Sequence, residues 1–489
     1  MGKARQIALM SNIVSSRSFR DPKAVRLRVG CTMQVGTVAL RNSANRLAMS
    51  VTLSNEPPHL AARPSRCHDM AMDSERFDLA IVGAGLNGSL LALAAGEAGL
   101  RTALIDRLPL QSMTEAGFDG RTTAISYTSQ RLFRALGVWA DIADLAEPIL
   151  DIRISDAGHD GRASPFFLHF DHREADAGDQ PAAMGWIVEN RFLRMAILRR
   201  LAACPSVEPV APDEAVETIR TADKVDLVLK SGRRLVARLV ASAEGRQGTM
   251  REDAGIGARA WPYNQIAIVL VARHALPHRG VAQEKFLPGG PFAILPMRDS
   301  EAGEHRSSIV WTERASIARR LLELEASRFQ AEFARRFGDF LGTVDTIGPR
   351  WSYPLHLVHA ERYVEERLVL VGDAAHGLHP IAGQGYNLGV RDIAALVEVL
   401  VDSKRLGLDI GAADTLERYA QWRRADNFTM VAATDLLNRL FSNDIKPLRV
   451  ARDLGLAAVN RTPVLRQFFL RHAMGLVGDL PKLIRGERP

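Results

Sequence analysis

Short apolar runs alternate with longer amphipathic stretches along much of the chain, and this alternation predicts an α/β fold. Residues 77–82 form an apolar run typical of a buried parallel strand, and the Leu- and Ala-rich stretch 89–99 behind it predicts a helix. Residues 101–106 then predict a second strand. A further strand, glycine-rich loop and helix are predicted late in the chain, with the strand at 368–371 and the helix over about residues 387–400.

Apolar and polar residues alternate one by one in the middle of the chain. The alternation occurs around residues 152–156, 265–272 and 307–311, and it predicts strands of a second sheet. We expect this second sheet to carry a substrate pocket.

The C-terminal part, from Thr415 onward, has apolar residues at helical spacing that alternate with arginines, and it predicts terminal helices. The apolar positions concerned are Leu436, Leu437, Leu440, Phe441 and Leu448. Packing into the core is one interpretation of this pattern, and docking on a membrane surface is the other.

Length and composition restrict the class of protein. The chain has 489 residues, of which 47% are hydrophobic and 24% charged, as in a globular protein with more than one core. No uncharged apolar run approaches the roughly 18–20 residues that a transmembrane helix needs, so we do not expect the chain to span a bilayer. The three cysteines are too scattered for a disulfide framework or a thiolate metal site, which fits a reducing compartment.

The net charge of +7 is unevenly distributed. Residues 1–70 contain eleven Lys and Arg against three Asp and Glu, which leaves residues 71–489 at a net charge of −1. The body of the protein is therefore close to neutral, and its charge does not predict nucleic-acid binding. Residues 415–489 hold thirteen Lys and Arg against seven Asp and Glu, a local excess that favours contact with an anionic membrane surface.

The first 74 residues contain Arg and Ser but few acids, as an organelle transit peptide does. Arg outnumbers Lys by 55 to 8 in the whole chain, which is typical of a GC-rich bacterial coding sequence, and Met70 and Met72 stand just before the first strand. A start codon assigned too far upstream is the favoured interpretation, and a transit peptide is the alternative. In either case we expect residues 1–74 to be disordered or loosely attached.

The first strand runs directly into a glycine turn, Gly83-Ala-Gly85-Leu-Asn-Gly88. Together with the following helix and Asp106 at the end of the second strand, it forms the complete dinucleotide-binding pattern. Gly83 permits the tight turn, Gly85 lets a pyrophosphate approach the backbone, and Gly88 lets the helix pack closely on the strand. The helix N-terminus offers free N–H groups to the phosphates, and Asp106 would accept hydrogen bonds from ribose hydroxyls. The pattern does not distinguish NAD from FAD.

The late glycine-rich loop makes that distinction. It contains the pair Gly372-Asp373, followed by His379-Pro380-Ile-Ala-Gly383-Gln384-Gly385-Tyr-Asn387-Leu-Gly389-Val-Arg-Asp392. This segment resembles the motif of the ubiquinone-biosynthesis monooxygenases, a branch of the flavoprotein aromatic hydroxylases with the para-hydroxybenzoate-hydroxylase-like fold. The stretches 119–126, 186–191 and 291–297 are also similar to that family, and the resemblance covers roughly residues 75–480.

The resemblance implies FAD as the cofactor. Asp373 would bind a ribityl hydroxyl, the loop from Pro380 to Gly385 would lie beside the isoalloxazine ring, and Arg121 would contact FAD. The N-terminus of the following helix would stabilise negative charge on the reduced flavin. The expected cofactor-binding residues are Gly83, Gly85, Gly88, Asp106, Arg121, Gly372, Asp373, Pro380, Gly383, Gln384, Gly385 and Asn387.

His376 and His379 raise the question of a metal pair or a catalytic dyad. Their spacing of three, the absence of a predicted helix beneath them and the lack of a third ligand nearby lead us to expect no metal site. A loop-shaping or flavin-neighbouring role is the favoured interpretation. No Tyr or His is marked as a catalytic base, so the catalytic residues stay unassigned.

One motif departs from the family pattern. Where the family has Ala-Asp-Gly-Arg-x-Ser-x-x-Arg, this chain has Ala-Glu244-Gly-Arg246-Gln-Gly248-Thr-Met-Arg251. Glu244 replaces Asp, and Gly248 replaces Ser. The departure concerns the handling of a pyridine nucleotide or the local loop geometry more than FAD binding.

The fold class expected from these observations is α/β, with a Rossmann-like FAD-binding domain interleaved with a mixed-sheet substrate domain and followed by C-terminal helices. The expected segments are an N-terminal extension (1–74), a discontinuous FAD-binding domain (75–150, 186–257 and 350–400), a substrate domain (151–185 and 258–349) and a C-terminal helical region (401–489).

The resemblance implies a monooxygenase that hydroxylates the aromatic ring of a prenylated phenol in ubiquinone biosynthesis through a flavin C4a-hydroperoxide. NADPH or NADH would bind transiently, or a partner would supply electrons, because the chain has a single GxGxxG element. An FAD-dependent dehydrogenase or reductase that inserts no oxygen is one alternative. A non-catalytic flavoprotein of a quinone-synthesis assembly is another.

The expected partners are the prenylated phenol, O2 and a quinone-synthesis protein complex, with a peripheral membrane contact and no nucleic acid. We expect the protein in the bacterial cytoplasm or on the inner membrane surface. The matrix side of the mitochondrial membrane would apply if residues 1–74 were a transit peptide.

Overall fold

The computed structural model describes residues 75–489 except residues 116, 159, 160 and 162 and the ranges 175–181 and 444–445. The predicted N-terminal extension, residues 1–74, lies outside the described residues, so the expectation for it stays a prediction.

Nineteen strands lie within the described residues. They are β1 (Glu75–Val82), β2 (Thr102–Ile105), β3 (Thr122–Ser126), β4 (Glu147–Ile149), β5 (Asp151–Ala157), β6 (Ala163–Asp171), β7 (Gly185–Glu189), β8 (Val207–Val210), β9 (Ala215–Arg220), β10 (Val225–Leu229), β11 (Arg234–Ser242), β12 (Ala258–His274), β13 (Val281–Leu287), β14 (Gly290–Met297), β15 (His305–Arg314), β16 (Val344–Ala360), β17 (Val364–Glu365), β18 (Leu368–Leu370) and β19 (His376–Gly377). The predicted strands correspond to β1, β2, β5, β12, β15 and β18.

Twelve α-helices lie in the same part of the chain. They are α1 (Leu86–Glu97), α2 (Leu110–Glu115), α3 (Tyr127–Ala135), α4 (Asn190–Ala202), α5 (Met250–Asp253), α6 (Ala315–Glu323), α7 (Ala326–Phe337), α8 (Gln384–Arg405), α9 (Ala413–Phe441), α10 (Lys446–Arg461), α11 (Pro463–Ala473) and α12 (Lys482–Arg485). Helix α8 begins three residues before its predicted start, because Gly383 takes a left-handed conformation and lets the helix start directly behind it.

The first sheet has the strand order β17-β18-β11-β1-β2-β8, and β10 and β9 continue from β11. Strand β1 pairs in parallel with both β11 and β2. Leu79, Ala80 and Ile81 of β1 are all fully buried, so both faces of the sheet are covered at this strand, as is usual for parallel sheets. Helix α1 packs against α4 and α8, so the turn between β1 and α1 lies close to the start of α8.

The second sheet has the order β19-β16-β12-β15-β14-β13-β5-β6 and is antiparallel except where β13 meets β5. Strand β16 pairs with β12 along most of its length and spans the predicted domain boundary at residue 350. Helices α6 and α7 cover one face of the sheet, where Phe292 packs against Trp311 and Phe333 with ring centroids 5.8 and 6.1 Å away. Strands β3, β7 and β4 form a small third sheet.

The C-terminal helices enclose a third core with the second sheet. Phe286 of β13 stacks on Phe441 of α9, with ring centroids 4.2 Å apart. Ile381 of the late glycine-rich loop is buried in the same cluster, together with Leu456 and Leu470 of α10 and α11. The late loop, the second sheet and the terminal helices therefore share one apolar core.

A buried ion pair fixes α10 against the second sheet. Arg452 donates from Nε and Nη2 to Asp156 Oδ2 of β5, at 3.0 and 2.8 Å. Both side chains are almost fully buried, and a buried pair of this kind is costly to break because one charge would be left unpaired. The first sheet has parallel strands at its centre, the second sheet is mixed, and helices follow at the C-terminus. These features confirm the predicted fold class.

Candidate functional site

Two positions in the turn between β1 and α1 accept no residue other than glycine. Gly83 has φ 101°, and a Cβ there would lie 2.6 Å from the carbonyl oxygen of Ala243. A Cβ at Gly88 would collide with the carbonyl oxygen of Gly83. Gly85, by contrast, has no protein atom within 4 Å of the position of a Cβ. The turn is thus tightly packed on its inner side and open at Gly85.

Asp106, at the end of β2, holds this turn in place. Its Oδ2 accepts a hydrogen bond from the Ala84 N–H at 2.6 Å, and its Oδ1 accepts one from the Leu108 N–H at 2.8 Å. The carboxylate therefore lies beside the glycine turn, as the dinucleotide-binding pattern requires. Each oxygen keeps further lone pairs for a ligand hydroxyl.

The late loop interlocks with the early turn through Asn87 of α1. Gly372, with φ 62°, and Gly389 both pack against the Asn87 amide, and a Cβ at Gly372 would collide with its nitrogen. A Cβ at Gly389 would lie 2.6 Å from Asn87 Oδ1. The two glycine elements, almost 300 residues apart in sequence, thus meet through one half-buried amide side chain.

Two helix N-termini open into one cavity of about 650 Å³. Helix α1 begins after Gly85 and α8 after Gly383, and neither has a side-chain cap, so their first N–H groups are available to a ligand. Aligned peptide dipoles make both ends favourable for negative charge. Six predicted residues line this cavity: Gly85, Arg121, Asp373, Pro380, Gly383 and Gly385.

Asn387 supports the start of α8 through hydrogen bonds within the protein. Its Oδ1 accepts from the Ser126 N–H at 2.9 Å and from the Ser129 hydroxyl at 2.8 Å. Its Nδ2 donates to the carbonyl oxygens of Ala124 and Gly383 at 2.9 and 3.1 Å. Gln384 Nε2 likewise donates to the Ala473 carbonyl oxygen at 3.4 Å. These two predicted residues hold the loop in shape from outside the cavity lining.

Arg246, in the segment behind β11, binds the late loop on the cavity wall. Its Nε donates to Asp373 Oδ2 at 3.0 Å, and its Nη2 donates to the Leu378 carbonyl oxygen at 3.2 Å. Arg121, on the same wall, donates from Nε to Asp119 Oδ2 at 2.7 Å, and its side chain is about half exposed. Both guanidinium groups are therefore oriented by acids at the edge of the cavity.

The departure of residues 243–251 from the family motif has a structural explanation. A Cβ at Gly248 would collide with the Cβ of Glu244, so this loop admits no side chain at position 248. Glu244 Oε2 accepts hydrogen bonds from the Ser242 hydroxyl at 3.1 Å and the Met250 N–H at 3.4 Å, and burial raises the pKa of its carboxyl group. Glu244 thus closes the loop beside the cavity, and the change from Ser to Gly at 248 belongs to the same loop geometry.

A buried acid supports the Gly-Asp pair from behind. Asp392 of α8 is fully buried; its Oδ2 accepts from the Gly372 N–H at 3.2 Å and pairs with His376 Nε2 at 2.5 Å. Its Oδ1 accepts from Arg423 Nε at 2.8 Å and from Asn427 Nδ2 at 3.1 Å. Although burial opposes ionisation, the charges of His376 and Arg423 hold the pKa of Asp392 below its usual range. His376 therefore shapes the loop from its inner side.

His379 lies on the other side of the loop and lines the cavity. Its imidazole is 1% exposed and packs edge-on against Tyr263, with ring centroids 5.0 Å apart. Burial, and next the positive charge of Arg246, lower the pKa of His379 to about 4, so the ring is neutral at pH 7. Of the two histidines, His379 is the one that borders the cavity.

The residues present fit FAD. Gly85 and Gly385 leave open the space that a Cβ would take, and two uncapped helix N-termini face the cavity, as a pyrophosphate and a polar ring require. Two cavity-lining residues, Asn87 and Tyr386, carry buried polar atoms that have no hydrogen-bond partner among the described residues. Such buried atoms need partners, and a polar ligand can supply them.

Three participants escaped the sequence reasoning, namely Asn87, Arg246 and Asp392. Asn87 occupies an unspecified position of the GxGxxG turn, so no local pattern marks it. Arg246 stands in the altered 243–251 motif, and its partners Asp373 and Leu378 are more than 100 residues away in sequence, so no local pattern indicates the contact. Asp392 ends the recognised late motif, and its full burial within a helix gives no sign in the sequence.

The comparisons with known proteins agree with this site. Residues 76–432 match the family model described as FAD binding domain, and the chain belongs to this family of FAD-dependent monooxygenases. The fold is similar to that of the p-nitrophenol 4-monooxygenase PnpA from Pseudomonas putida DLL-E4, with a TM-score of 0.67 at 19% identity over 83% of this chain and 99% of that one. At that identity the likeness concerns the fold alone.

Two relatives are similar over nearly their whole length. The ubiquinone hydroxylase UbiL of Rhodospirillum rubrum is 50% identical over 412 residues, which are 84% of this chain and 92% of UbiL. The 3-demethoxyubiquinol 3-hydroxylase of Escherichia coli is 35% identical over 408 residues, which are 83% of this chain and 100% of the relative. The family predicted from the late loop, and FAD as its cofactor, are confirmed.

Alanine at Gly85 and at Gly88 should separate cofactor binding from folding. At Gly88 the new Cβ collides with backbone, so we expect the unfolding free energy of the flavin-free protein to fall by more than about 2 kcal/mol. At Gly85 it meets open space, so stability should stay within about 0.5 kcal/mol while FAD affinity falls at least about tenfold. Urea unfolding and FAD titration measure the two effects. Wild-type FAD affinity in Gly85→Ala would contradict a pyrophosphate at this turn.

The low pKa of His379 predicts a stability that is sensitive to acid. The unfolded chain takes up this proton near pH 6.5 and the folded protein near pH 4, so acidification through this range favours unfolding. Between pH 7 and pH 4 we expect the wild type to lose on the order of 3 kcal/mol more unfolding free energy than His379→Asn. Urea unfolding at several pH values measures the difference. Parallel pH profiles would mean that His379 is protonated in the folded protein as readily as in solution.

Proposed function

We propose that this protein hydroxylates the aromatic ring of a prenylated phenol in ubiquinone biosynthesis. The observation that carries the proposal is the convergence of two uncapped helix N-termini and two glycine elements on one cavity. The 50% identity to a ubiquinone hydroxylase over 92% of that relative supports the substrate class.

The chain's own residues would bind and orient the cofactor. When bound, FAD supplies the activation of dioxygen. The N-terminus of α1 and Gly85 would hold the pyrophosphate, Asp106 the ribose, and Asp373 a ribityl hydroxyl. The loop from Pro380 to Gly385 and the start of α8 would lie beside the ring, where the helix dipole favours negative charge.

The apolar core next to the loop would keep water from the reacting atoms. Ile381 extends from the loop into the cluster formed by the second sheet and the terminal helices. Exclusion of water protects a reactive oxygen species from decay to hydrogen peroxide. The prenyl chain would lie along this apolar side, and NADPH or NADH would bind transiently, because the chain has one GxGxxG element. Electrons from a protein partner of a quinone-synthesis assembly are the alternative.

We also propose a peripheral membrane contact through α10 and α11, which we call the terminal apolar face. The exposed positions of α10 include Val450, Ala451, Leu454, Gly455 and Ala458, and those of α11 include Val464, Leu465, Phe468 and Phe469. Both helices thus expose apolar residues, whereas the outer side of a surface helix is ordinarily polar. Within the described residues, no helix is long and apolar enough to cross a membrane.

Charge supports an anionic lipid surface as the partner of the terminal apolar face. Residues 446–489 contain nine Lys and Arg against three Asp and Glu. Arg461 and Arg471 are exposed beside the apolar residues and form no ion pair with any described acid. Each such cation contributes about 1 kcal/mol near an anionic leaflet. A bilayer location would place the enzyme where a prenylated phenol resides.

Isotope labelling tests the hydroxylation. With 2-octylphenol, NADPH or NADH and 18O2, we expect substrate-dependent oxygen consumption and one 18O atom in the product, read by mass spectrometry. The control without the phenol should show slow oxygen consumption. Product formed without 18O would overturn the monooxygenase assignment and favour a dehydrogenase or reductase. A flavin whose reoxidation is unaffected by the phenol would favour a non-catalytic role in an assembly.

Vesicle sedimentation tests the membrane contact. The wild type should bind phosphatidylcholine vesicles that contain phosphatidylglycerol. The double variant Phe468→Ser/Phe469→Ser should bind at least about tenfold more weakly, because it lacks two aromatic rings that the lipid would bury. The matched control is Leu406→Ser/Leu408→Ser, which removes exposed leucines between α8 and α9. Equal binding by all three proteins would contradict the assignment, and so would a wild type that forms dimers through this face without binding vesicles.

A further inference from the structure

His379 is an exception among the buried histidines of this protein. Both nitrogens of its 1% exposed ring lack a hydrogen-bond partner among the described residues. His274 is also buried, yet its nitrogens lie 2.8 Å from the Leu276 carbonyl oxygen and 3.0 Å from the Ser307 hydroxyl. His278 is similarly bonded, to the Met297 carbonyl oxygen and the Gly280 N–H. A buried imidazole with two unpartnered nitrogens points to a missing ligand.

The polar groups around His379 are already engaged with other partners. The Tyr263 hydroxyl donates to Asp435 Oδ1 at 3.1 Å, so the tyrosine presents its ring to the histidine. The Arg246 guanidinium is bonded to Asp373 and to the carbonyl oxygens of His356 and Leu378. The partner of His379 must therefore come from the cavity that it lines.

We infer that the His379 imidazole accepts a hydrogen bond from the phenolic hydroxyl of the ring that is hydroxylated. The inference rests on the proposed function, because it requires a phenol as substrate. It assigns to one side chain a task that the sequence left open, namely the recognition and activation of the phenol oxygen.

A neutral imidazole suits this task. Burial and the charge of Arg246 hold the pKa of His379 low, with Asp435 opposing, so one nitrogen carries a proton and the other is an acceptor. A phenol O–H is a donor, and its hydrogen bond to nitrogen increases the electron density of the oxygen and of the ring carbons ortho and para to it. Those are the carbons that an electrophilic oxygen attacks. Because the pKa of His379 is about 4, far below the value of about 10 for a phenol, the phenolic proton stays on oxygen and the imidazole acts as a hydrogen-bond acceptor.

Equilibrium binding separates this role from a structural one. The probes are 2-octylphenol and its O-methyl ether, which has the same ring and chain but no O–H donor. Binding is measured on the oxidised holoenzyme by the change in flavin absorbance, without reductant and therefore without turnover. We expect the wild type to prefer the phenol by about tenfold, the size expected of one hydrogen bond in a buried site.

Three variants complete the experiment. His379→Phe keeps the ring packed against Tyr263 but has no acceptor, and its preference should fall to within about twofold of equal binding. His379→Asn keeps an amide acceptor with a shorter reach, and its preference should be intermediate. His274→Leu is the matched control, because it removes a buried imidazole at the far end of β12 from Tyr263, and it should keep the wild-type preference. If His379→Phe does not retain flavin, the decision rests on His379→Asn.

The outcomes distinguish the inference from the proposed function. A wild type that binds the phenol and incorporates 18O, together with an unchanged preference in both His379 variants, overturns the inference alone. Equal affinity of the wild type for phenol and ether also overturns it. A wild type that binds neither probe and inserts no oxygen overturns the proposed function and the inference with it.

Discussion

The close contact between the two glycine elements is the constraint on which the site depends. The Asn87 amide fills the notch between Gly372 and Gly389, while Gly83 packs against the backbone at Ala243. Three separate segments of the chain are thereby brought within van der Waals distance, and each contact excludes even one additional carbon atom. The cavity is the space left in front of this contact, so its shape follows from the fit of the backbones behind it. Asp392 strengthens the arrangement by bonding the Gly372 N–H to the terminal helix α9 through Arg423.

Much of the fold and part of the site could be predicted because their information is local. The turn from Gly83 to Gly88 lies between an apolar run and a Leu- and Ala-rich helix, so spacing alone indicated its geometry. The late loop was recognised by its resemblance to a family, which supplied FAD where periodicity could not. Interactions between distant segments could not be read in this way. Asn387 was predicted to bind the cofactor, and three of its four hydrogen bonds also join α8 to β3 and α3, a role that becomes visible once those elements are adjacent.

The terminal helices show why periodicity left two interpretations open. Phe441 and Leu470 pack into the core, whereas Leu436, Leu454 and Phe468 face outward, so apolar residues occupy both sides of these helices. A pattern of apolar spacing gives the period of a helix but not which of two apolar sides is covered. The covering sheet comes from residues 151–297, far away in sequence. Core packing and surface exposure are therefore both correct, each for different residues of the same helices.

The close contact between Glu244 and Gly248 links the two positions at which this chain departs from the family motif. Because the collision at position 248 involves the Cβ of residue 244, which any non-glycine residue would carry, restoring the acid to Asp would not make room for a serine. A relative with serine at this place must follow a different path through the segment. The stretch from Ala243 to Arg251 thus behaves as one structural unit, and a graft between family members would need to exchange all nine residues together.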